Sequence, residues 1–207
     1  MTRIIAGTAK GRPLRVPESG TRPTSDRVKE SLFSTLEHRL GGFADVRVLD
    51  LYAGSGALGL EAASRGASHV VLVEKSPAAA KVIDANIAST GLSQARSVVA
   101  DVRIWVASPQ SQVPGGWNVV LLDPPYGLSD VDVSQVISRL LEQGALADGC
   151  EVVIERAKPR GAGAEFPWPA GLTSERSRAY GDTVVHHAVC YRHESEQAAS
   201  DGDPGGE

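Results

Sequence analysis

The sequence predicts an α/β protein built on a doubly wound, mostly parallel sheet of about seven strands. From residue 46 onward, short apolar runs alternate with segments whose apolar residues recur at helical spacing. A glycine-rich turn joins the first of these strands to the first helix of the alternation. The last two strand-like runs, near 172–180 and 183–191, follow each other without a helix and predict an antiparallel closing pair. Continuous apolar strands separated by helices are typical of a parallel sheet that is covered on both faces.

A small β-hairpin is predicted ahead of this sheet. Residues 3–16 combine short apolar pieces with two glycines and a proline, and a loop follows over 17–23. Residues 24–26, Thr-Ser-Asp, then supply capping groups for a helix whose apolar positions continue to Leu40. Two glycines at 41–42 end that helix.

The rest of the chain alternates between strands and helices in the order that a doubly wound sheet requires. The strands are predicted over 46–51, 70–73, 97–100, 119–122 and 152–154. The helices are predicted over 57–65, 76–89 and 131–143. We therefore expect three parts: the N-terminal hairpin and loop (residues 1–22), the α/β domain (23–192) and a disordered tail (193–207).

Length and composition exclude several classes of protein. The 207 residues are 42% hydrophobic, which is enough to bury a sizeable core. Two cysteines form neither a disulfide framework nor a zinc finger. No apolar run approaches the length of a membrane span, and the basic N-terminus is not followed by the apolar segment of a secretory signal. A cytoplasmic protein is expected, without a membrane partner. Because no apolar stripe is left over, we expect a monomer.

The formal net charge of −4 hides an uneven distribution of charge. Residues 1–30 carry seven basic and three acidic side chains, whereas residues 193–207 carry five acids and no Lys or Arg. Without that tail the chain is close to neutral, and its N-terminus is basic. A second basic cluster is formed by Arg156, Lys158, Arg160, Arg176 and Arg178. The basic N-terminus is compatible with a nucleic-acid partner, although ordinary scatter of surface charge would look the same.

The glycine-rich turn has the spacing G-x-G-x-x-G, with Gly54, Gly56 and Gly59 between a strand and a helix. Glu74 ends the next strand, twenty residues after Gly54. An acid at that place can accept both ribose hydroxyls of an adenosine, so the context indicates a nucleotide site. The alternative is a tight turn that needs glycine for its backbone alone.

Two further carboxylates indicate which nucleotide is bound. Asp50 lies just before the glycines, where a carboxylate suits a cationic ligand with an amino group better than a pyrophosphate. S-adenosylmethionine is such a ligand, because it carries an ammonium and a sulfonium. Asp101 ends the third strand of the alternation, where its carboxylate could accept a hydrogen bond from the adenine amino group. The alternative for Asp101 is a helix N-cap.

Residues 123–126, Asp-Pro-Pro-Tyr, follow the strand 119–122. Here the chain resembles class I methyltransferases that modify exocyclic amino groups, in which a D/N-P-P-aromatic motif occupies this place. Hydrogen bonds from such an amine to Asp123 and to a rigidly held carbonyl direct its lone pair toward the methyl donor. Pro124 and Pro125 fix φ at two positions, and Tyr126 supplies a face on which an extruded base can stack.

The N-terminal segments narrow the resemblance. The run Ile-Ala-Gly-Thr-Ala-Lys-Gly-Arg-Pro-Leu at 5–14 and the run Arg-Pro-Thr-Ser-Asp-Arg-Val at 22–28 closely resemble the RsmD-type guanine-N2 methyltransferases of bacterial 16S ribosomal RNA. The resemblance covers roughly residues 3–192 and includes Tyr-Gly-Asp-Thr at 180–183. It implies a Rossmann-like class I methyltransferase that uses S-adenosylmethionine.

The resemblance also implies the reaction and its residues. The substrate would be N2 of one guanine of 16S rRNA, guanine 966 in the usual bacterial numbering, within an assembled or assembling 30S subunit. The residues that would hold the guanine are Asp123, Pro124, Pro125 and Tyr126. Those that would line the cofactor site are Thr24, Asp50, Ala53, Gly54, Ser55, Gly56, Glu74, Lys75, Asp101 and Val102. Those that would contact RNA phosphates are Arg3, Lys10, Arg12, Arg15, Arg22 and Arg27. The reaction requires no metal.

Other functions remain open from the sequence. Methylation of DNA, of another RNA or of a protein amide uses the same class of motif as Asp-Pro-Pro-Tyr. A nicotinamide-dependent oxidoreductase or a non-catalytic nucleotide-binding module would account for the glycine turn. Either of these would leave the Asp-Pro-Pro-Tyr motif unexplained.

Overall fold

A computed structural model describes residues 2–17, 26–158 and 165–191 of the chain. In these ranges a seven-stranded sheet has the order β5-β4-β3-β6-β7-β9-β8. Its strands are β3 (Arg47–Leu51), β4 (His69–Glu74), β5 (Ala95–Val99), β6 (Trp117–Leu122), β7 (Leu146–Ala157), β8 (Leu172–Tyr180) and β9 (Thr183–Cys190). The first five of these strands pair in parallel, whereas β9 pairs antiparallel to both β7 and β8. The predicted doubly wound sheet and its closing antiparallel pair are confirmed.

Helices cover both faces of the sheet. They are α1 (Asp26–Leu40), α2 (Ala57–Ser64), α3 (Pro77–Thr90), the short α4 (Val102–Trp105) and α5 (Asp130–Glu142). Residues of α1, α2 and α3 share one buried cluster with one face of the strands, and residues of α4 and α5 share a second cluster with the other face. The apolar strands are buried on both sides, which explains why they show no polar alternation.

The N-terminal hairpin consists of β1 (Thr2–Arg3) and β2 (Pro13–Leu14), and it packs against α2. Its backbone amides at Ile5 and Ala6 donate to the carboxylate of Glu61, at 2.7 and 3.0 Å. Thr8 N–H donates to the carbonyl of Ser64 at 2.8 Å. Ile4 is fully buried in the same core cluster as the sheet. The hairpin is therefore part of the packed core rather than an independent unit.

Most elements differ from the prediction by only a few residues at their ends, whereas β7 is much longer than predicted and α4 was not predicted. β7 begins at Leu146, earlier than the predicted strand over 152–154. Asp148-Gly149 reads as a turn, but Gly149 adopts a φ of 71° inside the strand, and the pairing of β7 with β6 shifts register between Trp117 and Val119. The strand therefore continues through a bulge at the place where the sequence predicts that it has not yet begun. The four-residue α4 was also not predicted, because one helical turn carries no periodicity.

The predicted boundary at residue 22 and the predicted disordered tail at 193–207 lie outside the described residues. Over the ranges that the structure covers, no helix has both the length and the apolar character that a membrane crossing demands.

Candidate active site

A cavity of about 930 Å³ opens at the carboxyl edge of the parallel strands. In the sheet, β3 has β4 on one side and β6 on the other, so the chain order runs in opposite directions from β3. The cavity lies at this point. Such a switch point separates the loops that leave neighbouring strands and forms the usual ligand crevice of a doubly wound sheet. The walls come from the turn after β3, the ends of β4 and β5, the loop after β6 and residues 15–17.

Glu74 connects the glycine turn to the start of α3. Its Oε2 accepts a hydrogen bond from the backbone N–H of Gly54 at 2.9 Å, and its Oε1 accepts one from Ser76 N–H at 2.7 Å. Gly54 has a φ of 57°, which a residue with a Cβ adopts at a cost. The carboxylate is held by both oxygens at the cavity wall, and each oxygen keeps a lone pair for a ligand hydroxyl.

Asp50 supports the turn from below. Its side chain is buried, and its Oδ2 accepts a hydrogen bond from Gly59 N–H at 2.8 Å. A Cβ at Gly59 would lie only 3.0 Å from the same oxygen, so the third glycine of the motif is needed for close packing. Burial, opposed by the Gly59 bond, raises the pKa of Asp50 to about 7. The structure places this carboxylate beneath the turn, with Gly59 and not on the cavity wall.

Asp101 is the N-cap of α4, the alternative that the sequence left open, and its second carboxylate oxygen is also bound. Its Oδ1 accepts from Arg103 N–H at 3.0 Å and so caps α4, while its Oδ2 accepts from Lys75 Nζ at 2.9 Å. It also lies on the cavity wall. Hydrogen bonds from the side chains of Lys75 and Arg103 lower the pKa of Asp101 to about 2. The wall therefore presents an ionised acceptor at the end of β5.

The Asp-Pro-Pro-Tyr segment lines the same cavity as the glycine turn, from the loop after β6. Asp123 N–H donates to the carbonyl of Leu51 at 3.4 Å, which continues the pairing of β6 with β3. Tyr126 leaves 55% of its surface exposed, so its ring is available for stacking. Burial, together with Glu155 and Asp50, raises the pKa of Asp123 to about 8, and Arg156 opposes that shift.

Comparison with known proteins agrees with this geometry. The family described as Conserved hypothetical protein 95 matches residues 2–189. Ribosomal RNA small subunit methyltransferase D of Escherichia coli K12 is 36% identical over 204 residues, which cover 97% of this chain and 94% of that protein. The chain belongs to the RsmD family.

Solved structures support the same assignment. The Escherichia coli protein yhhF has a TM-score of 0.75 and 34% identity, with 92% of this chain and 98% of that one covered. A hypothetical protein of Thermus thermophilus has a TM-score of 0.72 and 34% identity, with 90% and 98% covered. The fold is that of class I methyltransferases, with a small N-terminal hairpin.

The structure brings together some of the residues that the RsmD resemblance implies for the cofactor site, and not others. The residues on the cavity wall are Gly54, Glu74, Lys75, Asp101 and Val102. Ala53, Ser55 and Gly56 are parts of the turn behind that wall, where Gly56 N–H donates to the carbonyl of Ala53 at 2.7 Å. Thr24 lies outside the described residues. All four residues of the Asp-Pro-Pro-Tyr segment line the cavity.

The basic residues that were predicted to contact RNA also differ in where the structure places them. Lys10, Arg12 and Arg27 are exposed. Arg3 is also exposed, and its Nε lies 3.1 Å from Asp26 Oδ2. Arg15 lies on the cavity wall, and Arg22 lies outside the described residues.

Sequence reasoning missed several residues at the site, and Asn86 and Tyr52 are the two with a clear structural role. Asn86, buried on α3, bonds the backbone of Arg15 through both its amide oxygen and its nitrogen, at 2.9 and 3.0 Å, and also donates to the carbonyl of Ser55 at 2.9 Å. It thereby ties the chain leaving the hairpin to the glycine turn. Tyr52 lines the cavity with a φ of 62°. No local pattern marks Asn86, whereas the place of Tyr52 directly before the glycine motif is a signal that could have found it.

Across the residues that the structure covers, no group of three or more His, Cys, Asp or Glu side chains could hold a metal ion. The groups that line the cavity include carboxylates, two tyrosines and the cationic side chains of Arg15, Lys75 and Arg103, the last two beside Asp101.

The raised pKa of Asp123 predicts a pH dependence of stability. An acid whose pKa is higher in the folded state takes up a proton on folding, so its contribution to the free energy of unfolding falls as pH rises from about 4 to about 8. The slope is at most about 1.4 kcal/mol per pH unit. We expect urea unfolding to show a smaller fall over this window for Asp123→Asn than for the wild type.

The comparison of these two proteins isolates Asp123. Asp50 adds a fall of the same sign, while His69 and His186, whose pKa values are lowered mainly by burial, act in the opposite direction. The two histidines are common to both proteins, so their contributions cancel in the difference, whereas the part of the Asp50 contribution that comes from its interaction with Asp123 is counted with Asp123. An identical slope in the wild type and in Asp123→Asn would contradict the prediction.

Proposed function

We propose that this protein transfers a methyl group from S-adenosylmethionine to the exocyclic N2 amine of one guanine in small-subunit ribosomal RNA. The observation that carries the proposal is that the Asp-Pro-Pro-Tyr segment lines the same cavity as the glycine turn with Glu74. The relative named as a small-subunit ribosomal RNA methyltransferase, which aligns over nearly the whole chain, supports the same substrate class.

The cavity fits S-adenosylmethionine better than a dinucleotide. Glu74, Asp101 and Asp123 contribute three carboxyl groups to its wall, and Asp50 is buried beneath. Arg15, Lys75 and Arg103 also line the wall. The backbone N–H of Gly54, which a pyrophosphate would need at the glycine turn, donates to the Glu74 carboxylate instead, and this favours a ligand without a phosphate group. Glu74 would accept the ribose hydroxyls, and Asp101 beside Val102 would hold the adenine. When bound, the cofactor supplies an activated methyl group.

The chain's own residues orient the amine. An aromatic amine is a poor nucleophile because its lone pair is delocalised into the ring. Asp123 and the Pro124 carbonyl accept hydrogen bonds from its N–H groups, which directs the lone pair toward the methyl donor. Pro124 and Pro125 limit rotation of the backbone that carries these acceptors. Tyr126 stacks on the extruded guanine, which contributes roughly 1–3 kcal/mol. After transfer the nitrogen loses a proton to Asp123 or to water.

Basic residues around the hairpin provide affinity for RNA. Lys10, Arg12 and Arg27 are exposed, and Arg3 and Arg15 lie at the same end of the chain. Contacts from such side chains to phosphates strengthen binding without reading the sequence. Arg22 is assigned the same role, and Thr24 a place near the methionine end of the cofactor.

The relative's name refers to the small ribosomal subunit. We place the reaction on 16S rRNA within an assembled or assembling 30S particle, and the resemblance of the N-terminal segments implies the guanine numbered 966 in bacteria. The enzyme would act as a monomer in the cytoplasm, where this particle is assembled.

Nucleoside analysis tests the proposal directly. Small subunits from bacteria that lack the endogenous enzyme are incubated with the protein and S-adenosylmethionine, and the digested rRNA is analysed by mass spectrometry. We expect one N2-methylguanine per 16S rRNA. N6-methyladenine in its place, or unmodified rRNA despite calorimetric binding of the cofactor, would overturn the proposal. So would calorimetric binding of NAD and not of S-adenosylmethionine.

A further inference from the structure

The residues of the second basic cluster differ in their exposure, and Arg156 is buried. Lys158, Arg176 and Arg178 are exposed, whereas Arg156 is only 9% exposed near the carboxyl end of β7. A guanidinium is rarely buried without a specific set of partners. The contacts of Arg156 therefore indicate what it does.

Arg156 binds the far end of the loop that carries the Asp-Pro-Pro-Tyr segment. Its Nη2 donates to the carbonyl of Leu128 at 2.5 Å, and its Nε donates to Asp130 Oδ1 at 2.7 Å. Leu128 lies two residues after Tyr126 on the cavity wall, and Asp130 is the first residue of α5. One guanidinium thus joins β7 to a backbone carbonyl and to a helix start within three residues of each other.

The near end of the same loop is held differently. Asp123 continues directly from β6, and its N–H bonds the carbonyl of Leu51. Within the loop, Leu128 N–H donates to the carbonyl of Pro125 at 2.9 Å. The sheet therefore fixes one end of residues 123–130 and Arg156 fixes the other. The position of Tyr126 depends on both.

One nitrogen of the Arg156 guanidinium takes no part in these two hydrogen bonds. Its Nη1 is buried and finds no hydrogen-bond partner among the described residues. The two donors that the structure does pair with protein groups, Nε and Nη2, bind Asp130 and Leu128 at the far end of the loop.

Arg156 also acts on Asp123 electrostatically. Burial of Asp123 and the neighbouring charges of Glu155 on β7 and Asp50 on β3 raise the pKa of Asp123, and the charge of Arg156 lowers it. The same side chain that fixes the loop thus favours the ionised, hydrogen-bond-accepting form of its carboxyl group.

We propose that Arg156 is a positioning residue for the Asp-Pro-Pro-Tyr segment, acting by its two hydrogen bonds to Leu128 and Asp130. The kinetic part of this inference rests on the proposed function. The structural part, that Arg156 immobilises residues 124–130, does not depend on the substrate and has its own readout.

Three variants test the inference. Arg156→Lys keeps the charge and loses the fork that binds two acceptors, and Arg156→Met removes both. Arg139→Met is the matched control, because Arg139 forms an equally short ion pair, 2.7 Å from Glu142 Oε2, on the exposed side of α5. All are compared by amide hydrogen exchange of residues 126–130, by calorimetric cofactor binding and by methylation of small subunits at several pH values.

We expect faster exchange of the Leu128 amide in Arg156→Lys and Arg156→Met than in the wild type and Arg139→Met. In both Arg156 variants kcat should fall by about 10- to 100-fold, with a cofactor Kd within about two-fold of wild type. In Arg156→Met the acidic limb of the pH profile should also move to higher pH, while Arg156→Lys keeps it in place.

Three results would overturn the inference. One is unchanged amide exchange of residues 126–130 in Arg156→Lys. A second is a kcat in that variant equal to that of the wild type. A third is a loss of cofactor affinity as large as the loss of kcat, which would indicate general disruption. If the wild type itself methylates no rRNA, the proposed function fails, and the exchange experiment still decides whether Arg156 holds the loop.

Discussion

Asp123→Ala is expected to lower kcat for rRNA methylation by on the order of 10³-fold, while the cofactor Kd stays within about two-fold of the wild type. The reason is that different residues of the cavity are assigned to the amine and to the cofactor. Asp123 lies on the wall of the Asp-Pro-Pro-Tyr segment, and Glu74 and Asp101 lie at the ends of β4 and β5. Removal of an acceptor for the amine leaves the carboxylates assigned to the cofactor in place.

Loss of folding should not complicate this experiment. The pKa of Asp123 is raised to about 8, chiefly by burial, so the ionised carboxylate is unfavourable in the folded protein near neutral pH. Replacement by alanine removes that unfavourable ionisation. Asp123→Ala should therefore unfold at no lower urea concentration than the wild type at pH 8.

Two variants serve as controls. Asp123→Asn retains a carbonyl oxygen that can accept from the amine, so it should keep more activity than Asp123→Ala, in line with the D/N alternative of the motif. Asp84→Ala removes an exposed carboxylate on α3 that accepts a hydrogen bond from Ser97, away from the cavity wall, and it should behave as wild type. Wild-type turnover in Asp123→Ala would remove Asp123 from the mechanism.

The predicted site residues that the structure brings to the cavity are those whose placement depends on local order along the chain. Glu74 and Asp123 each follow an apolar strand, and parallel strands bring their carboxyl ends to one edge. Once the alternation of strands and helices is recognised, the meeting of these two residues follows from topology alone. The same argument places Asp101, which adds its hydrogen bonds with Lys75 and Arg103.

The parts that the sequence does not predict depend on contacts between distant residues. Asn86 meets Arg15 across 71 positions, and Arg156 meets Leu128 across 28. The direction of the Asp50 carboxylate is set by Gly59, on the next element. Each of these polar side chains has a buried bonding role that its residue type alone does not reveal. The composition and periodicity of the sequence predict which apolar faces are buried, but they do not predict the hydrogen-bond partners of buried polar side chains.

The docking of the hairpin belongs to the same class of contact and has the largest expected effect on stability. Gly7 has a φ of 83°, and a Cβ built there would lie 1.8 Å from the carbonyl oxygen of Ser64 and 2.7 Å from the backbone nitrogen of Arg65. Both atoms belong to the end of α2 and cannot rotate away. Any side chain at residue 7 must push the hairpin off the helix.

Gly7→Ala should therefore lower the free energy of unfolding by about 3–5 kcal/mol, in the range of severe single substitutions. Displacement of the hairpin breaks the bond from Thr8 N–H to Ser64 and separates Ile5 and Ala6 from Glu61. Glu61 is fully buried. Of the groups that donate to its carboxylate, only the Arg65 side chain, at 2.9 Å, would remain. A buried carboxylate that loses two donors accounts for much of this cost.

Gly11→Ala is a matched control for backbone strain. Gly11 has a φ of 82°, almost the same as that of Gly7, yet a Cβ built there meets no heavy atom of the described residues within 4 Å. Its cost should be only that of the left-handed conformation, about 1–2 kcal/mol. Urea unfolding of both variants separates strain from docking, because only Gly7→Ala disturbs α2. Equal destabilisation by the two substitutions would show that contact with α2 contributes nothing, and that the hairpin is held by its own turns alone.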